Sequence, residues 1–246
     1  MIGRTMTDVN VETLSVLNEF RDFIENIEVV ADMGCGLGAD ALWWTTLTND
    51  EGKSREIKIN AVDYNVDTLR VVRHRNITYH ESDFSNTDLE HNSQDFVWAY
   101  NSLQYSLNPI QTLSHWWDIM KTDAMLLITL PYNFSVNDHR DSLKIDTEYQ
   151  HNCYFNWTLG NLIMSLVATG FDCRNSHFKI DKDNRYMQAA VYKLAVTPDV
   201  KMTWYQMCDK KMLPLCIEEA IMKNGNFKET DIVCEWIDRT QYILNL

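Results

Sequence analysis

The stretch Val29-Val30-Ala31-Asp32-Met33-Gly34-Cys35-Gly36-Leu37-Gly38-Ala39-Asp40 decides the fold. A short apolar run ends in an acid, three alternating glycines follow, and a helical pattern then begins. This order predicts a buried strand, a tight turn and a helix start within a dozen residues. Glycine leaves no side chain where the backbone bends, so a ligand can lie directly against the main chain. N–H groups at the start of the next helix can donate to it.

Outward from this turn the chain alternates between helical and strand patterns. Val16, Leu17, Phe20, Phe23, Ile24 and Ile27 recur at helical spacing and predict a first helix over roughly 11–27. Strand one follows at 28–33. The next helix carries Ala41, Leu42, Trp43 and Trp44 towards Thr48. Strand two is expected at 57–63, ending in Asp63, with Asn65 as the cap of a helix through Leu69 and Val72. Strand three is expected at 77–83, ending in Asp83, and strand four at 95–100.

Asn108-Pro109-Ile110-Gln111 has the form of a helix start: a cap, proline at the first helical position, and glutamine at the third. Residues 124–130 form a continuous apolar strand with Pro131 as its stop. Residues 132–156 read as a long polar connection, of the kind that often walls a substrate site. Leu159, Leu162, Ile163, Leu166 and Val167 mark a late helix closed by Gly170. Strands at about 172–180 and 186–194 flank a hairpin turn. Alternating strands and helices imply a parallel sheet with right-handed crossovers, and the terminal hairpin makes one edge antiparallel.

Composition sets the broad class. The 246 residues are 45% hydrophobic and 23% charged, enough for a full core in one domain with a small appendage. No apolar run approaches the roughly 18 residues needed to span a bilayer. Met1 to Asn10 is polar and does not read as a signal peptide. The six cysteines form no Cys-x-x-Cys pair and read as reduced thiols in a cytoplasmic protein. The net charge of −13 argues against free nucleic acid, whose binders need a basic surface. The histidines and cysteines show no zinc-ligand spacing, so no metal is expected.

Asp32-x-Gly34-x-Gly36-x-Gly38, with Cys35 between its glycines, resembles the first motif of the class I (Rossmann-like) S-adenosylmethionine-dependent methyltransferases. It is most similar to the broad methyltransferase type 11 group. Gly34-x-Gly36-x-x-Ala39 also satisfies the dinucleotide fingerprint. That alternative explains Asp63 on a ribose but not Asp32 or Asp83, and it needs a further substrate domain.

The resemblance implies an α/β, doubly wound, seven-stranded, mostly parallel sheet of order 3-2-1-4-5-7-6. Strand 7 is antiparallel and helices lie on both faces. A class I methyltransferase domain would occupy 1–194. Residues 195–246 lie outside the resemblance; their apolar spacing marks one amphipathic helix at Leu213–Ile221 and another at Ile232–Ile243, expected as a helical extension packed on the domain.

The resemblance also implies S-adenosylmethionine as cofactor, S-adenosylhomocysteine as product, and methyl transfer by in-line displacement. Gly34, Cys35, Gly36 and Gly38 would cradle the cofactor. Asp32 would meet its α-amino group, Asp63 the ribose hydroxyls, Tyr64 the adenine face, and Asp83 and Phe84 the adenine edge. Tyr100 and Asn101 would flank the methionine moiety. Each acid also has a structural reading: Asp32 as a helix cap, Asp63 and Asp83 as loop acids.

The expected acceptor is a small molecule, with His151 as candidate base and Tyr105 as a second catalytic candidate. The alternatives are a non-catalytic cofactor- or nucleotide-binding partner subunit, or a protein or tRNA methyltransferase. The C-terminal helices offer a surface for a homodimer.

Overall fold

A computed structural model describes residues 24–49, 51–67, 71–131, 157–180, 186–193 and 202–224. The described elements are β1 (Val29–Met33), α1 (Ala39–Thr45), β2 (Lys58–Asp63), β3 (Ile77–Glu81), β4 (Gln94–Tyr100) and a 3₁₀ turn at Leu103–Tyr105. They continue with α2 (Pro109–Ile119), β5 (Met120–Pro131), α3 (Leu159–Ala168), β6 (Phe171–Ile180), β7 (Tyr186–Lys193), α4 (Trp204–Asp209) and α5 (Leu215–Asn224).

The seven strands form one sheet of order β3-β2-β1-β4-β5-β7-β6. The pairs β1–β2, β1–β4, β2–β3 and β4–β5 are parallel. Strand β7 runs antiparallel between β5 and β6. The expected order and the antiparallel strand are both present. Because strand order reverses between β1 and β4, the ends of these two strands diverge into a crevice, where ligands of open α/β sheets bind.

Each face of the sheet has its own core. On one face, Val30, Ala61, Phe96, Trp98, Tyr100 and Leu127 pack with Ala41 and Trp44 of α1. Trp44 meets Trp98 edge-on, with ring centroids 5.8 Å apart. On the other face, Met33, Val97, Leu126 and Ile128 pack with Trp116 of α2 and Leu162 and Ile163 of α3. Helix α2 starts as its sequence predicts, with the Asn108 side chain accepting the Gln111 N–H at 3.2 Å. Helix α3 opens with a Thr158/Asn161 capping box.

One expectation needs correction, and others fall partly or wholly outside the described residues. The helix expected from Asn65 through Leu69 and Val72 runs across residues 68–70, which lie outside the described residues. The Asn65 N–H donates to Asp63 Oδ1 at 3.1 Å, and the Val72 N–H donates to the Leu37 carbonyl at 3.0 Å. The Val71 N–H donates to the Asp67 carbonyl at 3.0 Å. Strand β5 begins earlier than expected, at Met120. Residues 1–23, which carry most of the expected first helix, and the expected helix at 232–243 lie outside the described residues.

The stretch 202–224 joins the core of the second face. Met202, Met207, Leu213, Ile217 and Ile221 are buried there. Arg174 of β6 is paired with Glu218 of α5 at 2.7 Å, both largely out of water. Truncating Ile217, fully buried on α5, to alanine should lower unfolding stability by about 2–5 kcal/mol, read from the denaturant midpoint. An unshifted midpoint would show that α5 contributes little to folding.

Candidate functional site

The glycine turn after β1 is the centre of the crevice. Gly34, Gly36 and Gly38 have φ of 83°, 54° and 83°, a left-handed backbone that other residues rarely adopt. Their surroundings differ. A Cβ on Gly34 would stand 2.6 Å from Ser102 Cβ, and one on Gly38 would stand 2.0 Å from Tyr79 Oη. At Gly36 a Cβ would meet nothing within 4 Å. The outer glycines are required by the protein's own packing, and the middle one faces open space.

Backbone and side-chain bonds fix this turn to β2. The N–H groups of Gly34 and Cys35 both donate to the Val62 carbonyl, at 2.8 and 3.0 Å. Asp63 Oδ2 accepts the Gly36 N–H at 2.9 Å. Tyr79 Oη donates to the Val72 carbonyl at 2.7 Å. Burial, and after it Cys35 and Asp32, push the Tyr79 phenol up to about 12. Burial, Asp32 and Asp63 also raise the Cys35 thiol, so at neutral pH it is protonated and a poor nucleophile.

Asp32 sits beneath the turn at 2% exposure, opposite Ala61 of β2 and Trp98 of β4. Asp32 does not cap α1, which has Gly38 at its N-cap and no side-chain cap bond. The nearby Ala41 N–H only offsets part of the rise in the Asp32 pKa. Its Oδ2 is buried with no hydrogen-bond partner among the described residues. Burial, then Asp40 and Asp63, hold its carboxyl well above the usual range. Asp40 Oδ2 accepts the Trp98 indole N–H at 3.2 Å.

The far wall of the crevice follows β4. Tyr100 stacks beside Trp98, with ring centroids 6.5 Å apart. Asn101 takes φ of 50° while its N–H donates to the Thr129 carbonyl at 2.9 Å. Asn101 Oδ1, Ser102 Oγ and Gln104 Oε1 are buried without a hydrogen-bond partner among the described residues. Asp32 Oδ2 and these atoms are four oxygens without a donor, on the ends of the two adjacent strands that flank the crevice. A buried oxygen in that condition carries a desolvation cost of about 1–3 kcal/mol, which a donor from a bound ligand removes.

The remaining expected residues lie around this centre. Tyr64 is 79% exposed beside Asp63. Asp83 is exposed and its Oδ1 accepts the Ser85 N–H at 2.8 Å, as in an Asx turn. Phe84 packs its ring on Trp116, and its carbonyl accepts the Trp116 indole N–H at 2.9 Å. Tyr105 is 40% exposed at the end of the 3₁₀ turn. His151 lies outside the described residues. Ser102 and Gln104 were not singled out by the sequence reading. Their polar side chains directly after an apolar strand were the available signal.

Among the described residues no group of three histidine, cysteine or acidic side chains is placed to hold a metal ion. No helix among them is long and apolar enough to cross a membrane.

Comparison with known proteins agrees with this geometry. Residues 31–128 match a family described as "Methyltransferase domain". No curated protein matches the sequence. Among solved structures, a protein of Bacillus halodurans described as a methyltransferase aligns with a TM-score of 0.56 at 16% identity, covering 74% of this chain and 100% of its own. A protein of Listeria monocytogenes described as an S-adenosylmethionine-dependent methyltransferase aligns at 0.51 and 14% identity, covering 72% of this chain and 99% of its own. A complex from Haloferax volcanii pairs a methyltransferase with the activator Trm112. It aligns at 0.53 and 14% identity, covering 77% of this chain and 96% of the matched one. Residues 31–128 thus match the methyltransferase-domain family, and the chain has the fold of solved S-adenosylmethionine-dependent methyltransferases.

Proposed function

We propose that this chain transfers the methyl group of S-adenosylmethionine to a small-molecule acceptor. The observation that carries the reading is the pairing of an open glycine turn at Gly36 with the buried, donor-less Oδ2 of Asp32 beneath it. That pair suits a ligand with a cationic amino group lying against bare backbone. S-adenosylmethionine, when bound, supplies a methyl on a sulfonium centre, transferred by in-line displacement, and is left as S-adenosylhomocysteine.

The chain's own residues then have separate tasks. Gly34, Cys35, Gly36 and Gly38 shape the cradle. Asp32 takes the α-amino group, and Asn101 and Tyr100 flank the methionine moiety. Asp63 keeps Gly36 in place and meets the ribose. Tyr64, Asp83 and Phe84 border the adenine. Holding acceptor and methyl in line and excluding water supplies most of the rate gain, since the methyl is already activated. The net charge of −13 supports a neutral or cationic small acceptor over a nucleic acid. In this reading residues 1–194 form the catalytic domain and 195–246 an extension packed on it.

Asp63→Ala tests the assignment. It should weaken S-adenosylhomocysteine binding at least about a hundredfold, because both the ribose contact and the brace on Gly36 are lost. Calorimetric titration reads the change. Unaltered affinity would remove Asp63 from the site.

A further inference from the structure

We propose that Gln104, with Ser102 beside it, binds the methyl acceptor, and that the acceptor offers a neutral or cationic N–H or O–H donor, as an amine or alcohol does. The inference rests on the proposed methyl transfer and names its substrate class. Gln104 and Ser102 are each 2% exposed, and Gln104 Oε1 and Ser102 Oγ have no hydrogen-bond partner among the described residues. With Asp32 and Asn101 given to the cofactor, these two oxygens remain for a second ligand.

Both are held on a braced turn. The Tyr105 N–H donates to the Ser102 carbonyl at 2.9 Å, and the Ser106 N–H to that of Leu103 at 3.1 Å. Ser106 Oγ lies 2.6 Å from Thr112 Oγ1, which in turn donates to Ser85 Oγ at 2.7 Å. Ser102 itself abuts Gly34, where a Cβ would stand 2.6 Å from its own. The turn is thus wedged against the glycine cradle and tied to the loop after β3. A buried carboxamide oxygen in such a frame needs a donor that no described residue supplies.

The same surroundings select against anions. Residues 29–45 and 99–112 contain no lysine, arginine or histidine. Asp40 and Asp63 both act on the buried Asp32. A carboxylate or phosphate acceptor would enter an acidic crevice with no cation from these segments to meet it.

Sinefungin provides the probe, since a carbon bearing an amine replaces the sulfur, the amine standing where the transferred methyl would be, and the adenosine and amino-acid ends match those of S-adenosylhomocysteine. Both compounds are titrated into the wild-type chain, Gln104→Met and Gln104→Glu. The wild type should prefer sinefungin about tenfold. In Gln104→Met that preference should fall towards one with S-adenosylhomocysteine affinity unchanged, and in Gln104→Glu it should rise. A preference unchanged in both variants would overturn the inference. So would equal weakening of both compounds by Gln104→Met, which marks a structural role. Failure of the wild type to bind either compound would overturn the proposed function itself.

Discussion

Replacing Gly36 by alanine should abolish S-adenosylhomocysteine binding while lowering stability by only about 1–2 kcal/mol. The stability cost comes from the left-handed backbone, φ 54°, since the added Cβ touches nothing within 4 Å. The functional cost comes from the same open space, because the methyl would occupy the surface on which the cofactor backbone rests. Loss of affinity should exceed about a hundredfold, since a wall atom at a close backbone approach cannot be avoided by a rigid ligand. The neighbouring glycines should behave in the opposite sense. Gly34→Ala drives a Cβ against Ser102 Cβ, next to the main chain, and should unfold the turn. Calorimetry and thermal unfolding separate the two classes. Normal binding by Gly36→Ala would show that the cofactor does not lie on this turn.

Asp32→Asn should stabilise the ligand-free protein at neutral pH and cripple cofactor binding. Burial, Asp40 and Asp63 raise the Asp32 carboxyl well above the ordinary carboxylate pKa of about 3.9. Between that value and the raised one, the folded protein holds a proton that the unfolded chain has released. Stability therefore falls as pH rises through this window, and the full penalty persists above it. Asparagine carries no charge and removes the penalty. The variant should unfold at higher temperature than the wild type at neutral pH, with the difference vanishing below about pH 4. Its affinity for the cofactor should fall about a hundredfold or more, as expected when a buried charge partner is removed. A variant less stable at neutral pH, or one binding normally, would contradict this role for Asp32.

What the sequence made legible follows from local chemistry. Glycines alternating after an acid-ended apolar run specify a strand-turn-helix, and all three have positive φ. Asn108-Pro109-Ile110-Gln111 states a helix start whose cap bond forms as written. The unbroken apolar run at 124–130 states a strand covered on both faces, and its residues are buried.

Other features depended on contacts distant in the chain. The bond from the Asn65 N–H to Asp63 at the end of β2 is local, yet residue type alone does not announce it. The Thr203/Gln206 capping box of α4 was written in the sequence, but its short helix gave too weak a period to register. Tyr105 and Gln104 are neighbours of similar prospect on paper. Only the turn after β4 decides that Gln104 is interior and Tyr105 half exposed. Spacing likewise cannot show that Gly38 is demanded by the Tyr79 hydroxyl.

Calorimetric titration of the full wild-type chain with S-adenosylhomocysteine tests the central claim most directly. The account predicts one site per chain with a dissociation constant of about micromolar order. Absence of binding at millimolar ligand, or saturation by a nicotinamide dinucleotide in its place, would contradict it.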